Sequence, residues 1–234
     1  MLDQYASLGA AALFKGLGEA EWRAVVAAAD RRRARAGAFF YHQGDAAAHY
    51  YMLLQGRARL IQVTPEGNQV ILHLLSPGEA FGVAAAVLGG EFPASAEVIE
   101  DAEALVWGGA AMQRLMVEHP LLAINALRLV ADRLHEIQNR YRELATERVA
   151  RRIARTVLRL ARQVGRRTAE GILIDLSLSR QDLAEMTGTT LYTVSRTLTA
   201  WEQAGLVDAG RERLLIRKVH SLVMIAEDLP SDSA

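Results

Sequence analysis

The sequence has 234 residues, 51% of them hydrophobic, and a formal net charge of zero at pH 7. This composition supports a packed core and excludes a chain that is disordered throughout, and it contains no stretch of eighteen uncharged apolar residues that would span a membrane. Cysteine is absent, which excludes disulfides, cysteine-ligated iron–sulfur clusters and thiol catalysis and predicts a cytoplasmic protein.

The charge is unevenly divided along the chain. Residues 146–218 contain 14 Lys and Arg against 8 Asp and Glu, a net charge of +6, whereas residues 1–145 have a net charge of −3. A region that binds the phosphates of a nucleic acid needs such a basic excess. A solvated arginine surface would give the same count, so the excess supports nucleic-acid binding without establishing it.

The first half of the chain predicts a short helix followed by strands. Residues 13–29 place their apolar side chains on one helical stripe. From residue 37 onward, short apolar runs are separated by glycine-containing turns, which is the pattern of an all-β barrel or jelly roll. The small and apolar run at residues 82–95 predicts a short helix and a loop inserted between the strands.

A long helix is predicted after Pro120, which ends a short helix at residues 110–118. Its apolar residues recur in alternating steps of four and three for about three heptads, with charged residues between them. These residues are Ala123, Leu127, Val130, Leu134, Ile137, Tyr141 and Leu144. A helix packed on its own domain usually shows a wider apolar stripe, so we favour a parallel two-chain coiled coil over that alternative.

The next segment predicts a basic helix over residues 147–163, with Thr146 as its N-cap. Apolar residues from Val149 to Val164 form its inner face, and arginines fill its outer face. These arginines are Arg148, Arg151, Arg152, Arg155, Arg159 and Arg162. Residues 165–171 are predicted to form a basic loop and residues 172–176 a strand.

Residues 179–207 have the pattern of a helix-turn-helix. Ser179 and Asp182 can form a short capping box at the start of the first helix. Gly188 suits a left-handed turn, and Thr190 can cap a second helix. Two short helices joined by a glycine turn are also common as a purely structural unit, so what surrounds them decides the interpretation.

The second helix has two distinct faces, and a wing follows it. Val194, Leu198 and Trp201 recur at i, i+4 and i+7, so they are predicted to face the core. The other side carries hydroxyls, an amide and one arginine, which suit the base edges of a major groove. These residues are Tyr192, Ser195, Arg196, Thr199 and Gln203. Two apolar runs around the charged residues 211–213 predict the two strands of a winged helix.

The order of these parts resembles the CRP/FNR family of bacterial transcription regulators from about residue 13 to residue 217. The most specific stretches are RAGAFFYHQGD, YYMLLQGRARL, HPLLAINALRLVADRL and SRQDLAEMTGTTLYTVSRTL. The resemblance implies an α+β fold with a cyclic-nucleotide-binding-like β-roll at residues 1–120. A dimerisation helix at residues 121–145 and a winged helix-turn-helix at residues 146–234 would follow.

The resemblance also implies partners. It predicts a homodimer that binds a palindromic site on double-stranded DNA, with half-sites about one helical turn apart. This homodimer is also expected to contact RNA polymerase. Its roll is expected to sense a small-molecule effector of unknown identity. The implied DNA-binding residues are Ser179, Arg180, Gln181, Thr189, Thr190, Leu191, Tyr192, Ser195, Arg196 and Thr199. The implied dimer interface consists of Leu127, Val130, Leu134, Ile137, Tyr141 and Leu144. The implied effector pocket consists of Phe81, Gly82, Val83, Ala94, Ser95 and Leu127.

The roll departs from the family members that bind cyclic AMP. Those members carry a Gly-Glu pair and an Arg-Ser pair, where this chain has Gly82-Val83 and Ala94-Ser95. The glutamate that would bind a ribose hydroxyl and the arginine that would pair with the phosphate are both missing. Burying the phosphate without a cation would carry a large desolvation cost, so we predict that cyclic AMP does not bind.

Other effectors are left open. The oxygen-sensing members need cluster-binding cysteines, and this chain has none. Heme-based sensing of a gas is an alternative that would use a histidine, and His73 is the candidate ligand among histidines scattered without ligand spacing. A small apolar ligand, or no ligand at all, would also suit the pocket.

The recognition helix departs from the family as well. Many members read a G·C pair with a glutamate two residues after the cap and an arginine four residues further on, where this chain has Tyr192 and Arg196. Arg196 can donate two hydrogen bonds to guanine O6 and N7, but a tyrosine cannot accept from cytosine N4 as a carboxylate does. We therefore predict a half-site that differs from TGTGA or TTGAT, with Tyr192 stacked on a thymine methyl or bound to a phosphate.

The sequence predicts that the protein is not an enzyme. It contains no GxxxxGK[ST], GxSxG or HExxH motif, and no paired carboxylates stand in a motif. The alternative from another class is a ligand-binding module with a degenerate helix-turn-helix that acts through protein partners. Binding to mixed-sequence DNA separates that alternative from a DNA-binding regulator.

Overall fold

The chain folds into two units in the computed structural model, which describes residues 8–210 and 213–229 and, at residue 88, the backbone alone. The units are Met1–Ile137 and Gln138–Ala234, and the boundary falls inside one long helix. The fold is α+β, as predicted, with a β-roll in the first unit and a winged helix in the second. Within the described ranges, no helix combines the length and the apolar character needed to cross a membrane.

The first unit is an antiparallel β-roll with helices at both ends. Its strands are β1 (Asp30–Ala34), β2 (Phe39–Tyr41), β3 (His49–Val63), β4 (Gln69–Leu75), β5 (Ala80–Phe81) and β6 (Ser95–Gly108). Its helices are α1 (Glu19–Ala27), α2 (Val83–Leu88), α3 (Gly109–Glu118) and the first part of α4 (Pro120–Thr146), and a short 3-10 helix covers Ala12–Phe14. The strand order is β1-β6-β3-β4, while β2 pairs with β6 and β5 with β3.

The long strands β3 and β6 pair along most of their length, and one glycine makes their approach possible. Gly56 has a φ of +77°, and a Cβ at this position would lie 2.2 Å from the carbonyl oxygen of Asp101 on β6. The register of the pairing shifts on both sides of Gly56. A residue with a side chain would therefore be strained in its backbone and would also push the two strands apart.

Two hydrophobic cores lie within the first unit. One joins α1, the roll and the start of α4, where the Trp107 indole N–H donates to the carbonyl of Val25 at 2.8 Å. In the same region the buried Asn125 amide on α4 donates to the carbonyl of Leu13 at 3.0 Å. The other core is largely aromatic, and its rings belong to Phe40, Tyr41, Tyr51, Phe81 and Phe92. The first core holds the beginning of α4 on the roll, and the second holds the residues on either side of α2.

The second unit is a winged helix that follows the last turns of α4. Its helices are α5 (Val149–Val164), α6 (Arg180–Thr187), α7 (Leu191–Gln203) and α8 (Val219–Glu227). Its strands are β7 (Gly165–Thr168), β8 (Gly171–Ile174), β9 (Val207–Gly210) and β10 (Arg213–Ile216), in the antiparallel order β7-β8-β10-β9. The strands predicted on either side of the wing turn are present and paired, while residues 211 and 212 of that turn lie outside the described ranges.

Two local predictions in the second unit are wrong. Residues 165–171, predicted as a loop, contain β7, which pairs with β8 at the edge of the sheet. This edge strand is largely exposed, so it lacks the apolar alternation by which strands are detected. Thr146 does not cap α5, because its hydroxyl donates to the carbonyl of Arg142 at 2.8 Å and closes α4. Helix α5 instead begins after Arg148, which makes no side-chain cap.

Candidate nucleic-acid interface

The capping box at the start of α6 fixes the entry to the helix-turn-helix. The Ser179 hydroxyl accepts from the backbone N–H of Asp182 at 3.0 Å, and the Asp182 carboxylate accepts from the backbone N–H of Ser179 at 2.8 Å. Two backbone donors that would be unpaired at a helix N-terminus are thereby satisfied. The negative charge of Asp182 also lies in the first turn, where the helix dipole favours it.

The turn between α6 and α7 is built on Gly188. This residue has a φ of +60°, and a Cβ there would lie 2.8 Å from Cδ2 of Leu144 in the last turns of α4. The following Thr189 N–H donates to the carbonyl of Ala184 at 3.1 Å and ends α6. Thr190 then caps α7, since its hydroxyl accepts from the N–H of Thr193 at 3.2 Å. The left-handed conformation favours glycine here, and a side chain would also have to displace the end of Leu144.

A single guanidinium closes the C-terminal end of α6. Arg152 of α5 donates through Nε to the carbonyl of Thr187 at 3.1 Å and through Nη2 to that of Gly188 at 3.3 Å. Its Nη1 donates to the carbonyl of Glu147 at 2.9 Å, in the segment between α4 and α5. These three acceptors are backbone carbonyls, and those at the end of a helix have no intrahelical partner. Arg152 therefore ties the helix-turn-helix to the chain that leads into it.

Helix α7 presents the face that the sequence predicts. Val194, Leu198 and Trp201 are buried against the domain core. The outward side chains of Tyr192, Arg196 and Thr199 are exposed, while that of Ser195 is half-buried. Leu191 lies 48% exposed, so it belongs to the outward face at the start of the helix.

The remaining predicted DNA-binding residues lie around the two helix starts. Arg180 of α6 is half-buried and approaches the Glu202 carboxylate of α7 at 3.9 Å. Gln181 is exposed and donates through its amide to Glu185 at 2.9 Å. Thr189 is half-buried in the turn, and Thr190 is exposed at the cap of α7. The structure thus gathers the predicted residues around one helix-turn-helix.

Of the arginines predicted on the outer face of α5, Arg148 and Arg162 are exposed, and the other four are half-buried. Arg159 donates to both carboxylate oxygens of Glu143, at 3.0 and 3.1 Å, and Glu143 is only 7% exposed. Arg155 pairs with Glu147 and with Glu227 of α8, each at 3.2 Å. Because these acids lie nearby only after the chain has folded, the sequence count does not show which arginines are engaged within the fold.

Two residues of the predicted effector pocket, Phe81 and Val83, lie in different cores of the first unit. Phe81 lies in the aromatic core, next to Tyr51 with ring centroids 5.1 Å apart. Ser95 is buried, and its hydroxyl accepts from the backbone N–H of Gln43 at 2.9 Å. Val83 belongs to the other core. Leu127 of α4, another residue of the predicted pocket, is 69% exposed.

The two remaining residues of the predicted effector pocket are Ala94 and Gly82. Ala94 is buried, and Gly82 precedes α2 with a φ of +73°. The loop between them carries Phe92, whose ring stacks on that of Tyr41 with centroids 3.7 Å apart. Aromatic side chains therefore fill the roll interior beside these two positions, a feature that the sequence analysis missed because its rings come from four separate segments.

Burial sets the protonation of the two phenols in the aromatic core. Burial raises the pKa of Tyr41, and the neighbouring Tyr51 raises it further. Burial also raises the pKa of Tyr51, while the charge of Arg32 lowers it in part. A tyrosine is already neutral at physiological pH, so the raised pKa values leave both phenols in that form.

His73, the candidate heme ligand, faces two carboxylates. Its Nε2 lies 2.9 Å from a carboxylate oxygen of Glu79, and its Nδ1 lies 3.9 Å from one of Glu136 on α4. The Nε2 atom, through which a histidine ordinarily binds heme iron, is thus hydrogen-bonded to Glu79, whereas the 3.9 Å to Glu136 is longer than a hydrogen bond. Across residues 8–210 and 213–229, no three His, Cys, Asp or Glu side chains are grouped to hold a metal ion.

The apolar seam of α4 is open to solvent in the single chain. Five of its residues have at least half of their side-chain surface exposed. They are Leu127 (69%), Leu134 (55%), Ile137 (55%), Tyr141 (74%) and Leu144 (52%). Val130 is half-buried and packs on the core of the first unit. Ile124, three residues before Leu127 and 44% exposed, extends this face and was missed because it does not fit the strict alternation of steps.

Profiles of two protein families match the chain. The cyclic nucleotide-binding domain matches residues 31–119, and the Crp-like helix-turn-helix domain matches residues 151–225. The cyclic AMP receptor protein of Thermus thermophilus is 33% identical over 175 residues, which cover 75% of this chain and 78% of that protein. The global nitrogen regulator of Nostoc sp. is 27% identical over 168 residues, which cover 71% of this chain and 75% of that regulator.

Solved structures share the same fold. The catabolite activator protein of Thermus thermophilus is 32% identical, with a TM-score of 0.55, and the match covers 94% of this chain and 100% of that one. FixK2 from Bradyrhizobium japonicum gives a TM-score of 0.74 at 22% identity, covering 88% of this chain and 99% of that one. At 22% identity, the similarity to FixK2 shows a shared fold only.

Replacing Arg152 by methionine is expected to loosen the end of α6. The carbonyls of Thr187 and Gly188 would lose their shared donor, and an unpaired polar group of this kind costs about 1–3 kcal/mol. Hydrogen–deuterium exchange should therefore show faster exchange at α6 and its turn. Arg162→Met is the matched control, because Arg162 is exposed on the same helix; equal exchange in the two variants would contradict the role of Arg152.

Proposed function

The chain belongs to the CRP/FNR family of DNA-binding transcription regulators, and we propose that it acts as a homodimer on a palindromic DNA site. The observation that carries this proposal is the outward face of α7, where Tyr192, Arg196 and Thr199 are exposed beside a capped and closed helix-turn-helix. A face of hydroxyls and one arginine at the start of such a helix matches the donor and acceptor pattern of a major groove.

Dimerisation through α4 is supported by its exposed seam. Seam residues from Leu127 to Leu144 leave a continuous apolar face on a helix of 27 residues. A second copy of the same helix would cover this face with matching side chains in a parallel coiled coil. Leu144 would then have two contacts, since it also lies over Gly188.

The proposed base reader is Arg196. It stands one helical turn after Tyr192 on the exposed side of α7, and the structure gives it no ion-pair partner within the described residues. A guanidinium with free donors can form two hydrogen bonds with guanine. Thr190, whose hydroxyl caps α7, is proposed to lie near a phosphate, where it would contribute affinity without sequence preference.

The proposed effector is a small molecule other than cyclic AMP. Ala94 and Val83 are buried apolar side chains at the positions where the family resemblance would need a cation and a carboxylate. Arg128 of α4 donates to Asn125 at 3.1 Å. Heme is not proposed, because the Nε2 atom of His73, which would bind the iron, is hydrogen-bonded to Glu79. An effector-independent regulator is the second candidate, favoured by the aromatic filling of the roll.

Neither a catalytic function nor a purely protein-binding one is proposed. The relative from Nostoc sp. is a global nitrogen regulator, and the helix-turn-helix retains both caps and its turn glycine. The exposed face of α7, with Tyr192, Arg196 and Thr199, is what favours DNA binding over a degenerate module. RNA polymerase is the further partner that the family implies, and we propose it for this chain on that basis alone.

Replacing Leu134 and Ile137 together by aspartate is expected to produce monomers. The change would bury two charges in adjacent layers of the proposed coiled coil, where they have no partner. Sedimentation at micromolar concentration should show the loss of the dimer, and DNA binding should weaken sharply. Val63→Asp, at an exposed position of β3, is the control; a monomeric unmutated protein would overturn the proposal.

Replacing Arg196 by alanine is expected to relax the preference for one guanine in each half-site. A bidentate arginine–guanine contact contributes about 1–3 kcal/mol of discrimination. Thr190→Ala should instead weaken binding to all sequences alike, and Thr190→Ser should retain binding because it keeps the capping hydroxyl. Selection of sites from random DNA measures all three variants, and an unchanged consensus for Arg196→Ala would exclude this assignment.

Cyclic AMP is expected not to bind tightly to the purified protein. Its phosphate would have to be buried among apolar side chains without a cation. Calorimetry should detect no binding at micromolar concentrations, whereas Ala94→Arg together with Val83→Glu should gain measurable affinity. A sub-micromolar dissociation constant for the unmutated protein would show that the prediction is wrong.

A further inference from the structure

Two exposed side chains on the outward face of α7 contact each other. The guanidinium carbon of Arg196 lies 5.9 Å from the centroid of the Tyr192 ring, one helical turn earlier. The Tyr192 side chain is 73% exposed. Their spacing of four residues places them on the same side of the helix, and the distance is within the range of a cation–π contact.

The polar groups around this pair have other partners. Arg180 approaches Glu202, and Gln181 donates to Glu185. For Tyr192 and Arg196, by contrast, the described residues provide the ring contact and no hydrogen bond or ion pair. Arg196 consequently keeps its N–H donors while its position is restricted by the ring.

One guanidinium can contact an aromatic ring and a DNA base at the same time. The stacking contact uses the flat face of the guanidinium, whereas its N–H donors point outward in its plane. A bidentate contact with guanine uses only these donors. A carboxylate at position 192 would accept from the same donors, so tyrosine restricts the arginine without occupying them.

We propose that Tyr192 is a positioning residue whose ring holds Arg196 in the orientation that reads guanine. Its hydroxyl takes no part, and the ring itself contacts no base. The inference rests on the proposed function, in which Arg196 is the base reader. Its physical basis is the rotamer freedom of an exposed arginine, part of which would otherwise be lost when DNA binds.

The test is a double-variant cycle on DNA binding by the full-length protein. The site selected by the unmutated protein is compared with the same site in which the arginine-dependent guanine is replaced in both half-sites. Tyr192→Phe, Tyr192→Leu, Arg196→Ala and the combination of Tyr192→Leu with Arg196→Ala are measured. The ratio of the two dissociation constants reports discrimination at that guanine rather than general affinity or stability.

Tyr192→Phe should keep the discrimination ratio, because the ring remains. Tyr192→Leu should lower it about two- to five-fold per half-site, which is the range of an exposed cation–π contact. In the Arg196→Ala background, Tyr192→Leu should change nothing further. Thermal unfolding of each variant checks that the exposed substitutions leave the fold intact.

Three outcomes would overturn the inference. An equal loss for Tyr192→Phe and Tyr192→Leu would mean that the hydroxyl contacts DNA. Additive losses from Tyr192→Leu and Arg196→Ala would mean that tyrosine makes an independent contact, such as one with a thymine methyl. A protein without any sequence preference would reject the proposed function itself, and with it this inference.

Discussion

The closure of the turn between α6 and α7 is the constraint on which DNA recognition depends. Gly188 adopts a left-handed conformation, Leu144 lies above it, and Arg152 binds the carbonyls on either side of the turn. Together these contacts set where α7 begins and which of its faces points outward. Since the three residues come from α4, α5 and the turn itself, the position of the reading face depends on the chain that joins the long helix to α5.

Charge in the second unit is divided between folding and recognition. Arg155 and Arg159 pair with acids of the same unit, and Glu143 is buried by its pairing. Removing one partner from such a buried pair leaves an uncompensated charge, so these arginines are not exchangeable with surface ones. Arg196 differs because its described contact is an aromatic ring. The proposed base discrimination thus rests on few side chains, whereas Arg155 and Arg159 of α5 serve the fold.

The roll combines a family fold with an unusual interior. Phe92 and Tyr41 stack in the space beside Ala94, so apolar rings stand next to the position where cyclic AMP-binding members have a cation. The same scaffold holds the start of α4 through Asn125.

The sequence by itself determined the features that depend on neighbouring residues. The capping box of Ser179 and Asp182, the cap at Thr190 and the left-handed Gly188 all operate within a few residues, so their pattern is visible in the chain. The buried and exposed faces of α7 follow from helical periodicity for the same reason.

The tertiary structure alone decided features that join distant segments. The acids that pair with the arginines of α5, the edge strand β7 and the placement of Phe81 and Val83 in different cores all depend on such contacts. Arg152 shows the reason most directly: its acceptors are backbone carbonyls up to 36 positions away, and a carbonyl is present at every residue. The side-chain pattern of the sequence therefore does not show which carbonyl an arginine binds, and only the folded chain determines this partner.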